Sequence, residues 1–178
     1  LIDGTTGNTG WGYQTLFSNT TGDINTALGY QAMFSNLTGT KNVAVGDWAL
    51  LLNSSGSFNT ALGSEALSRN TTGQTNTAVG HWAMLLNTTG SRNTSIGNDA
   101  LSRNTVGYDN TAIGFNALLS NIGNLNPLGD AGVRNTAVGS GALYANATGF
   151  DNTAMGYHAL AFNQTGLYNS AFGKSALE

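Results

Sequence analysis

Asparagine recurs every 17 residues. Asn8, Asn25, Asn42, Asn59, Asn76, Asn93 and Asn110 keep that spacing, and Asn135, Asn152 and Asn169 resume it after one gap of 25. Ten registers and one eight-residue insertion therefore account for nearly all of the 178 residues. Such a repeat constrains the fold strongly, because each unit can bury its apolar face only against its neighbours. The unit reads N-T-A-Φ-G-x-x-A-L-x-x-N-x-T-G-x-x, where Φ is a large apolar residue. Positions are counted below from its first Asn. Position 1 is Asn and position 5 is Gly in all ten units; position 12 is Asn in all nine units that reach it, and position 9 is always Leu or Met. The chain divides into a partial N-terminal coil (1–7), regular units (8–121), an insertion region (122–131) and regular units again (132–178), the last ending mid-coil.

Seventeen residues cannot hold two helices with their turns, and two Asn and usually two Gly per unit suit a helix interior poorly. They can hold two or three short strands with tight turns. The expectation is an all-β fold, a β-solenoid (parallel β-roll or β-helix) of ten 17-residue coils with one eight-residue insertion. Strands are expected at positions 2–4 and 8–11. Turns fall at the position 5 glycines (Gly29, Gly46, Gly63, Gly80) and at the N-x-T-G segment of positions 12–15, where Gly tolerates positive φ and Asn bonds its own backbone. Stacked coils repeat each residue every ~4.8 Å. The position 1 residues Asn25, Asn42, Asn59 and Asn76, and the position 12 residues Asn36, Asn53, Asn70 and Asn87, should then form two amide ladders.

Two apolar pairs per unit bear on association. Positions 3 and 4 (Ala44-Val45) are both apolar, as are 8 and 9 (Ala66-Leu67), whereas strand neighbours point to opposite faces. One reading gives the large residue to the core and the small, flat Ala face to another chain, favouring a homotrimer. The other is a kinked corner at which both residues turn inward. A 34-residue period lies over the 17. Residues 42–75 and 76–109 agree at 21 of 34 positions, Asp-Trp-Ala-Leu-Leu-Leu answering His-Trp-Ala-Met-Leu-Leu.

Units such as N-T-A-V-G-H-W-A-M-L-L-N-T-T-G (76–90) and N-T-A-M-G-Y-H-A-L (152–160) resemble the Asn/Thr/Gly repeats of bacteriophage tail fibres and bacterial surface fibres. They are also similar to the N-S-x-A-I-G head repeats of YadA-type trimeric autotransporter adhesins. That resemblance implies parallel β-rolls in an intertwined trimer, outside the cell, binding host surfaces. The adhesin unit is shorter than 17 residues, so the likeness carries the repeat class rather than the coil shape. No heptad stalk accompanies it here.

Composition narrows the chemistry. Only 8% of residues are charged, the net charge is −3, and Cys is absent. There is no basic stripe for nucleic acid and no polybasic amphipathic segment or long apolar run for membrane insertion. No cofactor, metal or enzymatic activity is expected. His81 and His158 lie in distant coils, and the Gly pattern marks turns rather than a phosphate loop. Glu65 and Asp99 share position 7 two coils apart, about 10 Å between backbones, a spacing an inverting glycosidase could use; solvated surface carboxylates are the simpler reading. Seven of eight N-x-[ST] sequons start at position 12, where the turn ladder already accounts for the Asn.

The function expected is a structural fibre segment, a rigid spacer that presents recognition surfaces, with itself as partner in a homotrimer. The C-terminus ends at position 10 and the N-terminus begins at position 11, so head-to-tail filament stacking would complete a coil. The alternative is a glycan-binding adhesin module. Positions 6 and 7 vary most and mix rings with carboxylates, as a cell-surface glycan would need: Tyr30, Trp48, Glu65, Trp82 and Asp99. These rings could equally pack against another chain. The insertion, carrying the only Pro (Pro127), is a second recognition candidate, or a tolerated surface loop.

Overall fold

A computed structural model describes residues 2–3, 7–123 and 131–178. Among them every regular element is a strand: β1 (Ile2–Asp3), β2 (Asn8–Trp11), β3 (Thr26–Leu28), β4 (Val43–Val45), β5 (Thr60–Leu62), β6 (Thr77–Val79), β7 (Thr94–Ile96), β8 (Thr111–Ile113), β9 (Thr136–Val138), β10 (Thr153–Met155) and β11 (Ser170–Phe172). They form one sheet in chain order. From β2 to β11 neighbours are parallel and pair position for position, Thr60 with Thr77, Ala61 with Ala78, Leu62 with Val79. Parallel strands need a long crossover, and the rest of each coil supplies it. The fold is therefore a β-solenoid. β1 runs antiparallel to β2 and so occupies the edge that head-to-tail stacking would use.

The expected strand at positions 8–11 is replaced by a run of turns. Positions 7 and 9 take left-handed φ, as at Trp48 (+56°) and Leu50 (+53°), which no extended strand tolerates. The gain is packing. Ala49 and Leu50 are adjacent yet both fully buried, so the left-handed residue turns both side chains inward. Backbone groups still pair across coils: Trp48 N–H donates to Tyr30 O at 2.9 Å and Leu50 N–H to Ala66 O at 3.0 Å. Left-handed residues with a Cβ cost about 1–2 kcal/mol each, offset at position 9 by burying Leu or Met, worth about 1.5–3 kcal/mol.

At positions 3 and 4 the strand alternates normally, but with its faces opposite to expectation. Ala44, Ala61 and Ala78 are fully buried, while Leu62, Ile96 and Met155 are exposed. A 17-residue coil is narrow. Its interior is already filled by the position 9 side chain and two Asn amides, leaving room only for small side chains, mostly Ala, at positions 3 and 8. Ser95, the one Ser at position 3, is buried and donates to Ala100 O at 2.7 Å.

The amide ladders form as expected, and they share an acceptor. Asn42 Nδ2 and Asn53 Nδ2 both donate to Gly56 O at 2.9 Å. Asn53 Nδ2 also reaches Asn36 Oδ1 at 2.7 Å, and Asn53 Oδ1 accepts from Asn70 Nδ2 at 2.7 Å. At position 1 the carbonyl oxygen takes the next coil's backbone, Asn59 N–H to Asn42 Oδ1 at 2.9 Å. The same pattern holds through Asn25, Asn76 and Asn87. Among the described residues no buried side-chain N or O lacks a partner.

The two glycine columns serve different ends. Gly46 has φ +136° and Gly63 +135°, and a Cβ on Gly63 would lie 2.6 Å from Gly80 O. Gly29 and Gly80 match them, at +138° and +131°. Gly56, at position 15, needs no positive φ. A Cβ there would overlap Asn53 Oδ1 and sit 2.6 Å from Asn70 Nδ2. The expectation that left-handed φ explains both columns is thus corrected for position 15, where the cause is crowding in the ladder.

The insertion leaves this framework in register. β8 pairs with β9, Thr111 with Thr136, and Asn146 Nδ2 reaches Asn121 Oδ1 at 2.9 Å. Ile122 O accepts from Thr105 N–H at 3.2 Å, the role of position 13. Gly132 O accepts from both Asn110 and Asn121, at 2.9 and 2.8 Å, the role of position 15. Pro127 lies outside the described residues.

Candidate binding surface

Two outward features follow from this geometry. The first is the position 4 column. Trp11 is 80% exposed, Leu28 47%, Ile96 40% and Phe172 67%. Large apolar side chains recur there once per coil, on the face of the sheet away from the core.

The second feature lies on the turn wall. Position 7 forms its own column. Gln31 Nε2 donates to Gln14 Oε1 at 2.7 Å, Trp48 Nε1 to Gln31 Oε1 at 2.9 Å and Trp82 Nε1 to Glu65 Oε1 at 3.1 Å. Tyr30, at position 6, stacks on Tyr13 with centroids 5.4 Å apart and tilts against Trp48 at 6.4 Å. Trp82 is covered on one side by His81 at 4.3 Å. Both Trp rings nevertheless keep nearly two-fifths of their surface exposed.

Position 10 alternates between Leu51, Ser68, Leu85 and Ser102. Each small Ser is buried and leaves a dent beside the larger residues of the preceding coil. Two grooves result. The first, about 330 Å³, takes Trp48, Leu51 and Leu52 from one coil and Glu65, Ser68 and Arg69 from the next, with Gln31 at its end. The second, about 390 Å³, takes Trp82, Leu85 and Leu86, then Asp99, Ser102 and Arg103, with Asn116 and Leu119 beyond. The six core lining residues of the first recur 34 residues later in the second. The structure thus joins Trp48 with Glu65 and Trp82 with Asp99, and leaves Tyr30 outside both linings. It adds the Leu pairs, the Ser residues and the Arg residues, which the position 6–7 reading omitted although the 34-residue period contains them. Between Glu65 and Asp99 the intervening place in the column is filled by Trp82, so no open gap separates the two carboxylates.

A third cleft of about 190 Å³ opens where Gly141 interrupts the position 7 column. Phe115, Tyr144, His158 and Phe162 line it.

Among the described residues, two Arg–Asp ion pairs lie away from these grooves. At position 17, Arg92 holds Asp109 through contacts of 2.7 and 2.9 Å, and Arg134 holds Asp151 at 2.8 and 2.9 Å. The Arg92 hydrogen bond keeps the Asp109 carboxyl below its ordinary range, and Arg134 does the same for Asp151. Asp109 in turn raises the Arg92 guanidinium. Among the described residues no group of three or more His, Cys, Asp or Glu is placed to hold a metal ion, and no helix is long and apolar enough to cross a membrane. Comparisons with protein-family models, with curated proteins and with solved structures found no match to this chain.

Proposed function

We propose that the chain is a non-enzymatic structural segment of an extracellular fibre, such as a phage tail fibre or a bacterial surface appendage. It acts as a rigid spacer that associates with copies of itself as a homotrimer. The observation that carries this reading is the position 4 column. Its side chains face away from the core, yet they stay large and apolar in every coil, including Leu28, Leu62, Ile113 and Phe172. A free-standing solenoid has no use for such a stripe, and exposed apolar stripes of this length mark association surfaces. Three copies meeting along their columns would bury it.

Rigidity comes from the ladders. Each coil is tied to the next by backbone bonds on the strand wall and the turn wall and by Asn side-chain bonds at the amide corner. Repeats of this kind add stability unit by unit, which suits a spacer of set length. Extending the rod head-to-tail would first require β1 to leave the β2 edge.

Mass measurement in native buffer tests the association. Three times the 18.3 kDa chain mass is expected. Leu62→Arg combined with Ile96→Arg should give a folded monomer. A wild-type monomer at micromolar concentration would overturn the proposal.

A further inference from the structure

We propose that the two grooves of the turn wall are successive subsites for one linear acidic polysaccharide, an anionic sugar occupying each. This goes beyond the spacer reading and uses a different face, since neither groove is lined by a position 4 residue.

The cations carry the argument. The chain has six Lys and Arg residues. Four are already engaged: Arg92 and Arg134 with carboxylates, Lys41 over the Phe58 ring at 5.2 Å and Lys174 over the Tyr157 ring at 5.9 Å. The other two are Arg69 and Arg103. They are 34 residues apart, exposed, and each lines one groove. Each groove also holds a carboxylate, Glu65 or Asp99, that forms no ion pair with the Arg of its own coil. A guanidinium and a carboxylate kept apart in one groove can take different groups of a single ligand. The guanidinium takes an anion in a forked contact, and the carboxylate accepts from hydroxyls. The Trp ring and the two Leu side chains supply an apolar wall for a sugar face. A uronic acid offers all three features. A peptide with an acidic side chain offers the anion but not the clustered hydroxyls.

Spacing extends the argument to a polymer. The grooves are two coils apart, about 10 Å along the rod, a step comparable to one disaccharide. A chain bearing a carboxylate on every second sugar would present one to each Arg in turn. Filling both subsites with one chain makes the second event intramolecular, which raises affinity without new contacts.

Calorimetric titration of the full chain tests this, with three probes: a hexasaccharide of alternating N-acetylglucosamine and glucuronate, glucuronate alone, and neutral cellohexaose. The acidic hexasaccharide is expected to bind at least about tenfold more tightly than either control, and less tightly as salt rises. Arg69→Gln or Arg103→Gln alone should reduce its affinity about tenfold, as expected for losing one charged hydrogen bond. Trp82→Ala should do likewise. Melting curves of the variants establish that they fold. Equal binding of the neutral hexasaccharide, no binding of the acidic one, or folded Arg variants that bind like wild type would each overturn the proposal. Oligomeric mass is measured on the same samples, so a trimer that fails to bind and a monomer that binds separate this inference from the spacer reading.

Discussion

The amide corner and the turn wall belong to the same coils and obey opposite rules. At the corner, Asn at positions 1 and 12 repeats in every coil that reaches it, and Gly56 and its counterparts accept from both. On the wall, position 7 runs through Gln31, Trp48, Glu65, Trp82, Asp99 and Asn116. The difference is solvent. A buried amide that must donate twice and accept from the next coil has one chemical solution, because an unmet partner costs about 1–3 kcal/mol. A wall residue sees water and its column neighbours, so its identity is free to serve recognition.

A charge placed at the corner should have the largest effect. Asn53→Asp removes the Nδ2 donor to Asn36 Oδ1 and Gly56 O and buries a carboxylate against acceptors. A loss of about 4 kcal/mol or more is expected in denaturant unfolding. The same change of charge at exposed Gln74, Gln74→Glu, should stay within about 0.5 kcal/mol.

Steric crowding comes next. Gly63→Ala would put a methyl group 2.6 Å from Gly80 O at a φ of +135°, and should cost about 3 kcal/mol. Core truncation is similar in size. Leu67→Ala, fully buried, should lose about 2–5 kcal/mol. Leu62→Ala, on the outer face, should leave monomer unfolding nearly unchanged and weaken association instead.

The smallest effect lies at the position 17 ion pairs. Asp109 and Asp151 are held below the ordinary carboxylate range by hydrogen bonds from Arg92 and Arg134. Their contribution is therefore complete above about pH 4 and is lost as pH falls through the lowered values. Solvent screening keeps the Arg134–Asp151 share under about 1 kcal/mol. Arg134→Gln should flatten the acid limb of the melting temperature against pH, with little change at neutral pH.

Much of this was legible in the sequence. A 17-residue period with two invariant Asn already implied stacked coils and amide ladders, and T-A-Φ already read as a strand. Three features were not legible. The ladders' shared acceptor is the Gly56 backbone carbonyl, which no residue type signals. The strand expected at positions 8–11 was lost because adjacent Ala49 and Leu50 both turn inward, the kinked-corner alternative, through left-handed φ that no residue type at Trp48 or Leu50 signals. The faces of positions 3 and 4 were reversed, because size suggested that Val45 or Leu62 fills the core. The amides and position 9 leave space only for Ala44 or Ala61. The grooves stood in between. Trp48 and Glu65 were singled out, whereas Ser68 and Arg69 needed the stacking to bring them alongside.

The absence of Cys permits a direct test of the outward column. Ile96→Cys places one thiol on that column, and Gln74→Cys places one on an exposed turn of another wall. A short bis-maleimide reagent should link copies of the Ile96→Cys chain in high yield at micromolar concentration and leave the Gln74→Cys chain unlinked. Equal yields from the two, or no linkage at Ile96→Cys in a folded sample, would contradict association through the position 4 column.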